Sequence, residues 1–476
     1  MKFTTSYVCS ECGYDSPAFM GKCPECGTWN SLMEIKVAKS NSKISRSSAD
    51  INKTPKKLSE IKFQEKDRFT SHLSEMDGVL GGGIVPGSVI LLAGDPGIGK
   101  STLLLQLALN IAGARGPSFA KASAGRSIIN HQSVLYISGE ESEQQIKLRA
   151  DRLTGSASVR QAQDKSSLQA RAKNAMPAGR QDNLLLLSIS NTDAIVDVIS
   201  EIAPKLVVID SIQTMESENL TGLSGSVGQV RYAAGEFIKI AKSLNISIIL
   251  VGHVTKEGMV AGPMVLSHRV DTVLFLEGEK FTKVRILRSL KNRFGPIDEV
   301  GVFSMEDGGM KEIKNPEQVF LFENKENASG SVLTATLEGT RAFLVEIQAL
   351  AVYSKLLMPR RVASGIDNRR LELLLAVLQK HCRLPLDTMD IYVNVAGGLK
   401  LSDRAADLGI CLAIFSSFKN IPINKTVGIA EVGLLGELRP VMDFPKRARE
   451  ARKLGFTTII GTDKYKSLNQ VIGKFN

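Results

Sequence analysis

The amino-acid sequence predicts an α/β protein whose main sheet is largely parallel. From about Phe69 onward, short apolar runs such as SVILLAG, SVLYIS, LVVID and ISIILVGH alternate with segments of helical pattern. Such runs are typical of strands that are buried on both faces by helices. A glycine-rich loop also lies between the first apolar run and a helical segment. This strand–loop–helix order favours the same fold class.

Length and charge limit the classes of protein to consider. A chain of 476 residues is long enough for two to four domains at roughly 100 to 200 residues each. No apolar run approaches the roughly 18 residues of a membrane span, and the N-terminus lacks the apolar core of a secretory signal. We therefore expect a cytoplasmic protein with no membrane partner. The net charge of +11 permits a nucleic-acid partner without demonstrating one.

Changes in composition indicate the domain boundaries. We expect a four-cysteine motif at residues 1–35, a polar linker at 36–66, an α/β domain at 67–313 and a second α/β domain at 314–476. Two segments rich in Ala, Ser, Gln and Arg, near 114–132 and 156–182, are predicted to be surface insertions of the first α/β domain. Helices are predicted in the second domain at 369–380 and 405–418.

The N-terminal cysteines form two C-x-x-C pairs. Four thiolates at this spacing suit the tetrahedral coordination of Zn²⁺, and a glycine after each pair allows the chain to turn back toward the metal. Disulfide pairing is the alternative, which a reducing compartment disfavours. The predicted structural zinc ligands are Cys9, Cys12, Cys23 and Cys26. The two remaining cysteines, Cys382 and Cys411, lie in apolar surroundings and are predicted to be inert.

The most specific motif is GDPGIGKS, which matches the phosphate-binding pattern G-x4-G-K-[ST] between a predicted strand and helix. Backbone amides of such a loop surround nucleotide phosphates, Lys100 neutralises their charge and the Ser101 hydroxyl serves Mg²⁺. The predicted ATP-binding residues are Gly94, Asp95, Pro96, Gly97, Ile98, Gly99, Lys100, Ser101 and Thr102.

Acidic residues follow two other predicted strands. Asp210 ends the apolar run LVVID, the arrangement in which a carboxylate reaches the hydrated Mg²⁺. Glu140 and Glu141 follow the run LYIS, and one of them is predicted to be the general base that activates water. Glu140 is our first choice. The alternative is that both are an exposed acidic start of the next helix.

Two further clusters of polar residues each have more than one possible function. His253 and Lys256 follow the run ISIILVGH, where His253 can sense the γ-phosphate and Lys256 can contact phosphate or DNA. Lys291 and Arg293 in the segment KNRFG can complete a neighbouring subunit's site or bind DNA. A structural histidine and a solvated basic turn are the alternatives.

Together these motifs resemble the bacterial RadA/Sms family. The resemblance covers nearly the whole chain outside the linker and the two insertions, and it is carried by the C-x-x-C pairs, GDPGIGKST, YISGEES, LVVIDSIQTM, GHVTKEG, KNRFG and VNVAGGLKLSDRAADLG. It implies a RecA-like ATPase core that forms a hexameric ring on single-stranded DNA, processes branched recombination intermediates and cooperates with the RecA recombinase. Pore loops near 213–231 and 254–267 would hold the DNA, with Arg231 and Lys256 as contacts.

The resemblance also implies a C-terminal domain similar to the proteolytic domain of Lon. Ala405 stands near the place of the catalytic serine, and Pro445 near that of the lysine, with Lys446 one step away. We therefore expect a domain without protease activity. An ATP-dependent protease and a KaiC-like signalling ATPase are the competing hypotheses. Phe19 and Met20 replace the Trp-Leu pair common in the family, and both insertions must leave the sheet for the ATPase to stay intact.

Overall fold

A computed structural model describes residues 3–9, 15–25, 27–30, 32–38, 68–113, 133–155, 183–220, 223–253, 264–278, 283–314 and 328–475. The two predicted insertions and most of the predicted linker lie outside these residues. The chain divides into two compact units. The first comprises Met1–Glu277, Leu287–Ile297 and Met305–Lys311, and the second comprises Gly278–Ile286, Asp298–Ser304 and Glu312–Asn476.

A small antiparallel sheet lies near the N-terminus. Its strands are β1 (Phe3–Cys9), β2 (Asp15–Ser16) and β3 (Leu32–Ala38), in the order β2-β1-β3. Cys9 pairs with Leu32 at the end of this sheet, and both side chains are buried together with Cys23. This cluster is too small to be a hydrophobic core of independent stability.

A nine-stranded sheet contains the first group of longer strands. The strands are β4 (Val89–Gly94), β5 (Val134–Ser138), β6 (Leu184–Ser188), β7 (Leu206–Asp210), β8 (Ser247–His253), β9 (Thr272–Glu277), β10 (Val284–Asn292), β11 (Val300–Glu306) and β12 (Gly309–Glu312). Their order is β12-β11-β10-β9-β4-β8-β7-β5-β6.

Six neighbouring strands of this sheet, from β9 to β6, are parallel. Every residue of β4, β5 and β7 is buried, as expected for strands that are covered on both faces. The α/β class with a mainly parallel sheet is therefore confirmed. Because parallel strands end at the same edge, Gly94, Ser138, Asp210 and His253 meet there.

Helix α1 (Ser74–Leu80) precedes β4. The helices that connect the parallel strands are α2 (Lys100–Gly113), α3 (Glu143–Leu153), α4 (Thr192–Ile202), α5 (Val227–Leu244) and the short α6 (Met264–Ser267). Ser142 begins α3 with a capping box that it shares with Gln145, and the Asn191 side chain caps α4. Such caps satisfy amide groups that have no partner within the helix, and they fix where each helix starts.

The second unit contains a six-stranded sheet of order β15-β16-β14-β13-β17-β20 and a separate pair, β18-β19. The strands are β13 (Ser331–Glu338), β14 (Arg341–Tyr353), β15 (Arg361–Ser364), β16 (Met389–Val395), β17 (Thr426–Gly428), β18 (Glu431–Val432), β19 (Leu438–Arg439) and β20 (Thr458–Ile460). The helices are α7 (Asn368–Cys382), α8 (Asp407–Lys419), α9 (Phe444–Lys453) and α10 (Leu468–Ile472).

Both helices predicted in this unit are present with shifted ends. The helix predicted at 369–380 spans Asn368–Cys382, because Asp367 accepts a hydrogen bond from the Arg370 amide and starts it one residue earlier. The helix predicted at 405–418 begins only at Asp407, after a 3-10 turn at Arg404–Ala406. Burial raises the pKa of the Cys382 thiol to about 11 and raises that of the Cys411 thiol well above its ordinary value, so both thiols stay protonated.

Within the described part of the chain, no helix has the length and apolar character that a membrane span requires.

Candidate functional site

The phosphate-binding loop lies at the carboxyl edge of the parallel sheet, between β4 and α2. Gly99 has a φ of 108°, and a Cβ atom there would lie 2.4 Å from Cε of Met310. A Cβ atom on Gly94 would lie 2.3 Å from the carbonyl oxygen of Leu276 on β9. Gly99 therefore requires glycine because of its backbone conformation, and Gly94 because a side chain would collide with the backbone of β9.

Lys100 is buried at the start of α2. Its ammonium group donates hydrogen bonds to the carbonyl oxygens of Gly94, at 2.8 Å, and Asp95, at 2.9 Å. Burial lowers the pKa of Lys100 to about 8, although the negative charges of Asp210, Asp95 and Glu140 oppose the change. A buried cation at the N-terminus of a helix fits a polyphosphate, whose negative charge would stabilise the ammonium form of Lys100.

Asp210 ends β7 and lies beside the loop. Its Oδ1 atom accepts a hydrogen bond of 3.1 Å from the Ser101 hydroxyl, and its Oδ2 atom accepts one of 2.5 Å from the buried Tyr136 hydroxyl. The structure thus brings together Ser101 and Asp210, the two residues predicted to serve Mg²⁺. A hydroxyl and a carboxylate are oxygen ligands of the kind that Mg²⁺ prefers, so the pair fits that ion.

The two glutamates after β5 have different environments. Glu140 has a side chain that is 53% exposed, and its Oε1 atom accepts a hydrogen bond of 2.7 Å from the Ser211 hydroxyl. Glu141 instead forms an ion pair with Arg149 of α3, with its two carboxylate oxygens 3.0 and 2.8 Å from the guanidinium nitrogens. Only Glu140 has an accessible carboxylate directed toward the end of β7, which favours it as the general base.

His253 ends β8 on the same edge. Its Nε2 atom lies 4.0 Å from Oε1 of Glu140, and its carbonyl oxygen accepts a hydrogen bond of 3.3 Å from the Gln213 side chain. Burial and then the positive charge of Lys100 lower its pKa, while Glu140 and Asp210 oppose the change. His253 is therefore neutral near pH 7 and adds no positive charge to the edge.

Four residues of this edge have no role predicted from the sequence: Tyr136, Ser138, Arg149 and Ser211. Ser211 directly follows Asp210, so proximity in sequence to that carboxylate was an available signal. Tyr136 lies on the same sheet face as Asp210, because Ser138 is the residue opposite Asp210 in the β5–β7 register. Arg149 could be found only from the fold.

The KNRFG segment lies at the opposite end of β4. Asp271 accepts a hydrogen bond from the amide of Val89, the first residue of β4, and its side chain lies 3.5 Å from Arg293. Lys291 donates hydrogen bonds to the carbonyl oxygens of Ser267, His268 and Val270. A six-residue strand rises about 17 Å, so these cations do not reach the phosphate-binding loop of their own chain.

Three predicted site residues, Lys256, Cys12 and Cys26, lie outside the described residues. Arg231 lies on α5, and its carbonyl oxygen accepts a hydrogen bond from Arg269. Around Cys23 the chain turns back on itself: the Gly27 amide donates to the Cys23 carbonyl oxygen, and Gly27 has a φ of 73°. This is the conformation that the predicted metal-binding turn requires.

The position predicted for a Lon-type dyad contains other residues. Ala405 is fully buried, whereas Pro445 and Lys446 are exposed on α9. Arg447, the next residue, is the one directed inward, and it forms an ion pair of 2.5 Å with Asp403. Ala405, which stands near the predicted place of the nucleophile, has no hydroxyl to be activated, so proteolysis has no support at this position.

Two family models match the regions of the chain that contain these motifs. Residues 54–259 match a family model described as an AAA domain, and residues 7–34 match one described as a rubredoxin metal binding domain. Among solved structures, the RadB recombinase has a TM-score of 0.36 at 20% identity and covers 52% of this chain and 99% of its own. A DnaB-like replicative helicase has a TM-score of 0.41 at 16% identity and covers 51% and 61%.

Curated relatives match over almost the whole chain. The DNA repair protein RadA of Halalkalibacterium halodurans is 43% identical, covering 97% of this chain and 93% of its own. The RadA proteins of Bacillus subtilis and Listeria monocytogenes are 44% and 43% identical, and each match covers 96% of this chain and 92% of the relative. The chain therefore belongs to the bacterial RadA family of DNA repair ATPases with a RecA-like core.

Proposed function

We propose that this protein is a DNA-dependent ATPase of homologous recombination and DNA repair. The observation that carries the proposal is the meeting of Lys100, Asp210 and Glu140 at one edge of the parallel sheet. A cation, a metal-binding carboxylate and an accessible base are the three groups that hydrolysis of a nucleoside triphosphate requires. The relatives named DNA repair protein RadA support the biological setting.

Each residue has a distinct role in this proposal. The amides of residues 97–100 and the Lys100 ammonium hold the phosphates, while Ser101 and Asp210 hold Mg²⁺, which neutralises phosphate charge when bound. Glu140 accepts the proton of the attacking water, and Ser211 orients its carboxylate. His253, 4.0 Å from Glu140, is placed to respond to the γ-phosphate.

A neighbouring subunit completes the site. Arg293 has a side chain that is 55% exposed and lies away from its own phosphate-binding loop, so it is free to reach the site of an adjacent copy. Lys291 either contacts the neighbour's site together with Arg293 or holds the KNRFG segment in place through its hydrogen bonds to three backbone carbonyl oxygens. Turnover then depends on assembly, which we propose to be a hexameric ring around single-stranded DNA.

DNA is held in the pore of the ring by the segments near 213–231 and 254–267. The net charge of +11 favours a polyanion, and Arg231 and Lys256 are the proposed contacts. In the described part of the first segment, the Ser217 hydroxyl donates a hydrogen bond to Asp193. The Ser217 amide donates a second one to the side chain of Gln229, near the other end of the segment. Branched recombination intermediates are the proposed substrates, and the RecA recombinase is the proposed partner.

The other parts of the chain support this core. We propose that Cys9, Cys12, Cys23 and Cys26 hold a structural Zn²⁺, since Cys9 and Cys23 are buried together and the metal-binding family model covers all four. We also retain the proposed boundaries of 1–35, 36–66, 67–313 and 314–476, with the last domain acting as a scaffold without protease activity.

The decisive experiment is the ATPase rate of the purified chain with and without single-stranded DNA, followed by strand displacement on a forked substrate. Stimulation by DNA and displacement that requires ATP would support the proposal. A rate that DNA leaves unchanged, together with no salt-sensitive DNA binding, would contradict it and favour a signalling ATPase. ATP-dependent degradation of casein would favour a protease. Lys100→Ala provides the inactive control.

A further inference from the structure

Behind the nucleotide site, four side chains form a polar network that motif analysis does not describe. The network consists of Asp210, Tyr136, Arg149 and Glu141. Tyr136 is fully buried and donates a hydrogen bond of 2.5 Å to Oδ2 of Asp210. Arg149 donates a hydrogen bond of 3.3 Å to the Tyr136 hydroxyl oxygen and forms the ion pair with Glu141. The four groups therefore connect α3 to the carboxylate at the end of β7.

We propose that Arg149 and Tyr136 are positioning residues of the ATPase, which fix the orientation of the Asp210 carboxylate, and that Glu141 serves to hold Arg149. The proposal rests on the function proposed above, because it concerns the same site. It adds two residues to that site and removes Glu141 from the candidates for the general base.

The two oxygen atoms of the Asp210 carboxylate face different groups. Its Oδ1 atom faces the Ser101 hydroxyl in the phosphate-binding loop, and its Oδ2 atom faces the Tyr136 hydroxyl. Hydrogen bonds to a charged group are stronger than those between neutral groups. Because Tyr136 holds one oxygen in this way, the carboxylate cannot rotate freely, and the other oxygen remains directed at Ser101.

Arg149 approaches the Asp210 carboxylate through the Tyr136 hydroxyl. This hydroxyl donates its hydrogen to Oδ2 of Asp210. Its oxygen can then accept a hydrogen bond from Arg149, whose guanidinium lies 4.0 Å from Oδ2 of Asp210. Arg149 thus supplies positive charge behind a carboxylate that is itself buried.

Glu141 is held in place at three points. Its amide donates to the Ser138 hydroxyl, and its carbonyl oxygen accepts from the Ser188 hydroxyl. Its Oε1 atom accepts a hydrogen bond of 3.0 Å from Arg149, and its Oε2 atom lies 2.8 Å from the other terminal nitrogen of that guanidinium. A planar guanidinium can make both contacts at once, whereas an ammonium group is a single point charge. A carboxylate held in this way is not available to activate water, unlike that of Glu140.

The test uses the full-length protein and the variants Tyr136→Phe, Arg149→Met and Arg149→Lys. Two quantities are measured: kcat for ATP, and the ratio of the equilibrium Kd of a fluorescent ADP analogue without and with Mg²⁺. Lys147→Met is the matched control, because Lys147 is a cation on the same helix that pairs with Asp151 at the surface. Lys100→Ala provides the inactive reference.

We expect Tyr136→Phe to lower kcat about tenfold and to reduce the effect of Mg²⁺ on ADP affinity at least about threefold, while Kd without Mg²⁺ stays within about twofold. Both Arg149 variants should behave similarly, and combining Tyr136→Phe with Arg149→Met should add little, because both act through one carboxylate. Lys147→Met should match the wild type.

An unchanged effect of Mg²⁺ on ADP affinity in Tyr136→Phe would overturn the proposal, as would fully additive losses in the double variant. Tyr136→Phe removes a single oxygen atom, so its result decides the matter even if an Arg149 variant fails to fold. If wild-type turnover does not exceed that of Lys100→Ala, the proposed function itself has failed. If the wild type hydrolyses ATP and the Tyr136 and Arg149 variants show the same kcat and the same effect of Mg²⁺, the proposed function survives and the positioning roles do not.

Discussion

The Ser211 hydroxyl donates a hydrogen bond of 2.7 Å to Oε1 of Glu140, whereas the neighbouring Glu141 pairs with Arg149. Two adjacent glutamates thus have separate tasks, which sequence spacing alone does not assign. The pairing leaves Glu140 as the accessible carboxylate beside the end of β7, and it leads to a direct test of the general base.

Glu140→Gln should lower kcat by about 100-fold or more, since a positioned general base contributes roughly that much. Nucleotide affinity should change little, because the glutamine retains the size and the contact with Ser211. Steady-state ATPase assays and titration with a fluorescent ADP analogue measure the two effects. Glu141→Gln is the matched comparison, and a larger loss of kcat in that variant than in Glu140→Gln would show that the assignment is wrong.

Nucleotide binding should depend on pH through Lys100. Its pKa of about 8 before nucleotide binds means that the ammonium form, which the phosphates favour, becomes scarce above that pH. Binding at pH 8.5 should therefore take up protons, and Kd for ADP should weaken by up to about tenfold per pH unit above pH 8. Calorimetry in two buffers of different ionisation enthalpy measures the uptake. Lys100→Met should abolish it, and proton uptake retained in that variant would assign the effect to another group.

Gly139 lies between β5 and Glu140 and contacts the turn after β7. A Cβ atom there would lie 2.2 Å from Oγ1 and 2.8 Å from Cβ of Thr214. Gly139→Ala should lower the free energy of unfolding by about 1 to 3 kcal/mol through overpacking, and should also reduce kcat by displacing Glu140. Denaturant unfolding and ATPase assays test this. Gly228→Ala is the control for stability, because an added Cβ atom there meets no heavy atom within 4 Å, and it should not lower the free energy of unfolding. Equal stability of the two variants would contradict the packing argument.

The sequence predicts those parts of the site that have a local signature. The phosphate-binding loop, Asp210 and Glu140 each follow an apolar strand, and parallel strands must end at a common edge. Tyr136 has no such signature, because an aromatic residue in a buried strand is ordinary. Its contact with Asp210 depends on the register of β5 against β7, which is a property of the folded sheet.

The same distinction applies to Arg149 and Arg447. Each is one basic residue among several on its helix, and only the rotation of that helix in the fold selects which one is directed inward. On α9 the inward residue is Arg447 and not the neighbouring Lys446. The ends of the helices that the sequence predicts differ from the observed ends by one or two residues, because capping by Asp367 and the turn at Arg404–Ala406 determine them locally.

Zinc should be present at about one ion per chain in protein that is purified without chelator. Cys23→Ser should lower this content and destabilise the N-terminal sheet, because Cys23 is buried against Cys9 and Leu32, and metal binding supplies folding energy that so small a cluster lacks. Elemental analysis measures the content. Cys382→Ser in the second unit is the control and should retain the metal. Wild-type protein with far less than one zinc per chain would refute the site.

Arg293 should act on the site of a neighbouring subunit. Arg293→Ala and Lys100→Ala should each abolish most turnover, because one lacks the donated cation and the other lacks the phosphate-binding lysine. When equal amounts of the two variants are mixed and reassembled into a head-to-tail ring, half of the subunits have an intact loop and half have an intact Arg293. About a quarter of the interfaces then combine an intact loop with an intact Arg293 from the neighbour. The mixture should therefore regain up to about a quarter of wild-type activity.

Mixing Arg293→Ala with the double variant Lys100→Ala/Arg293→Ala should restore nothing. If the first mixture also stays inactive, although both variants assemble, Arg293 does not act in trans, and its ion pair with Asp271 is structural only.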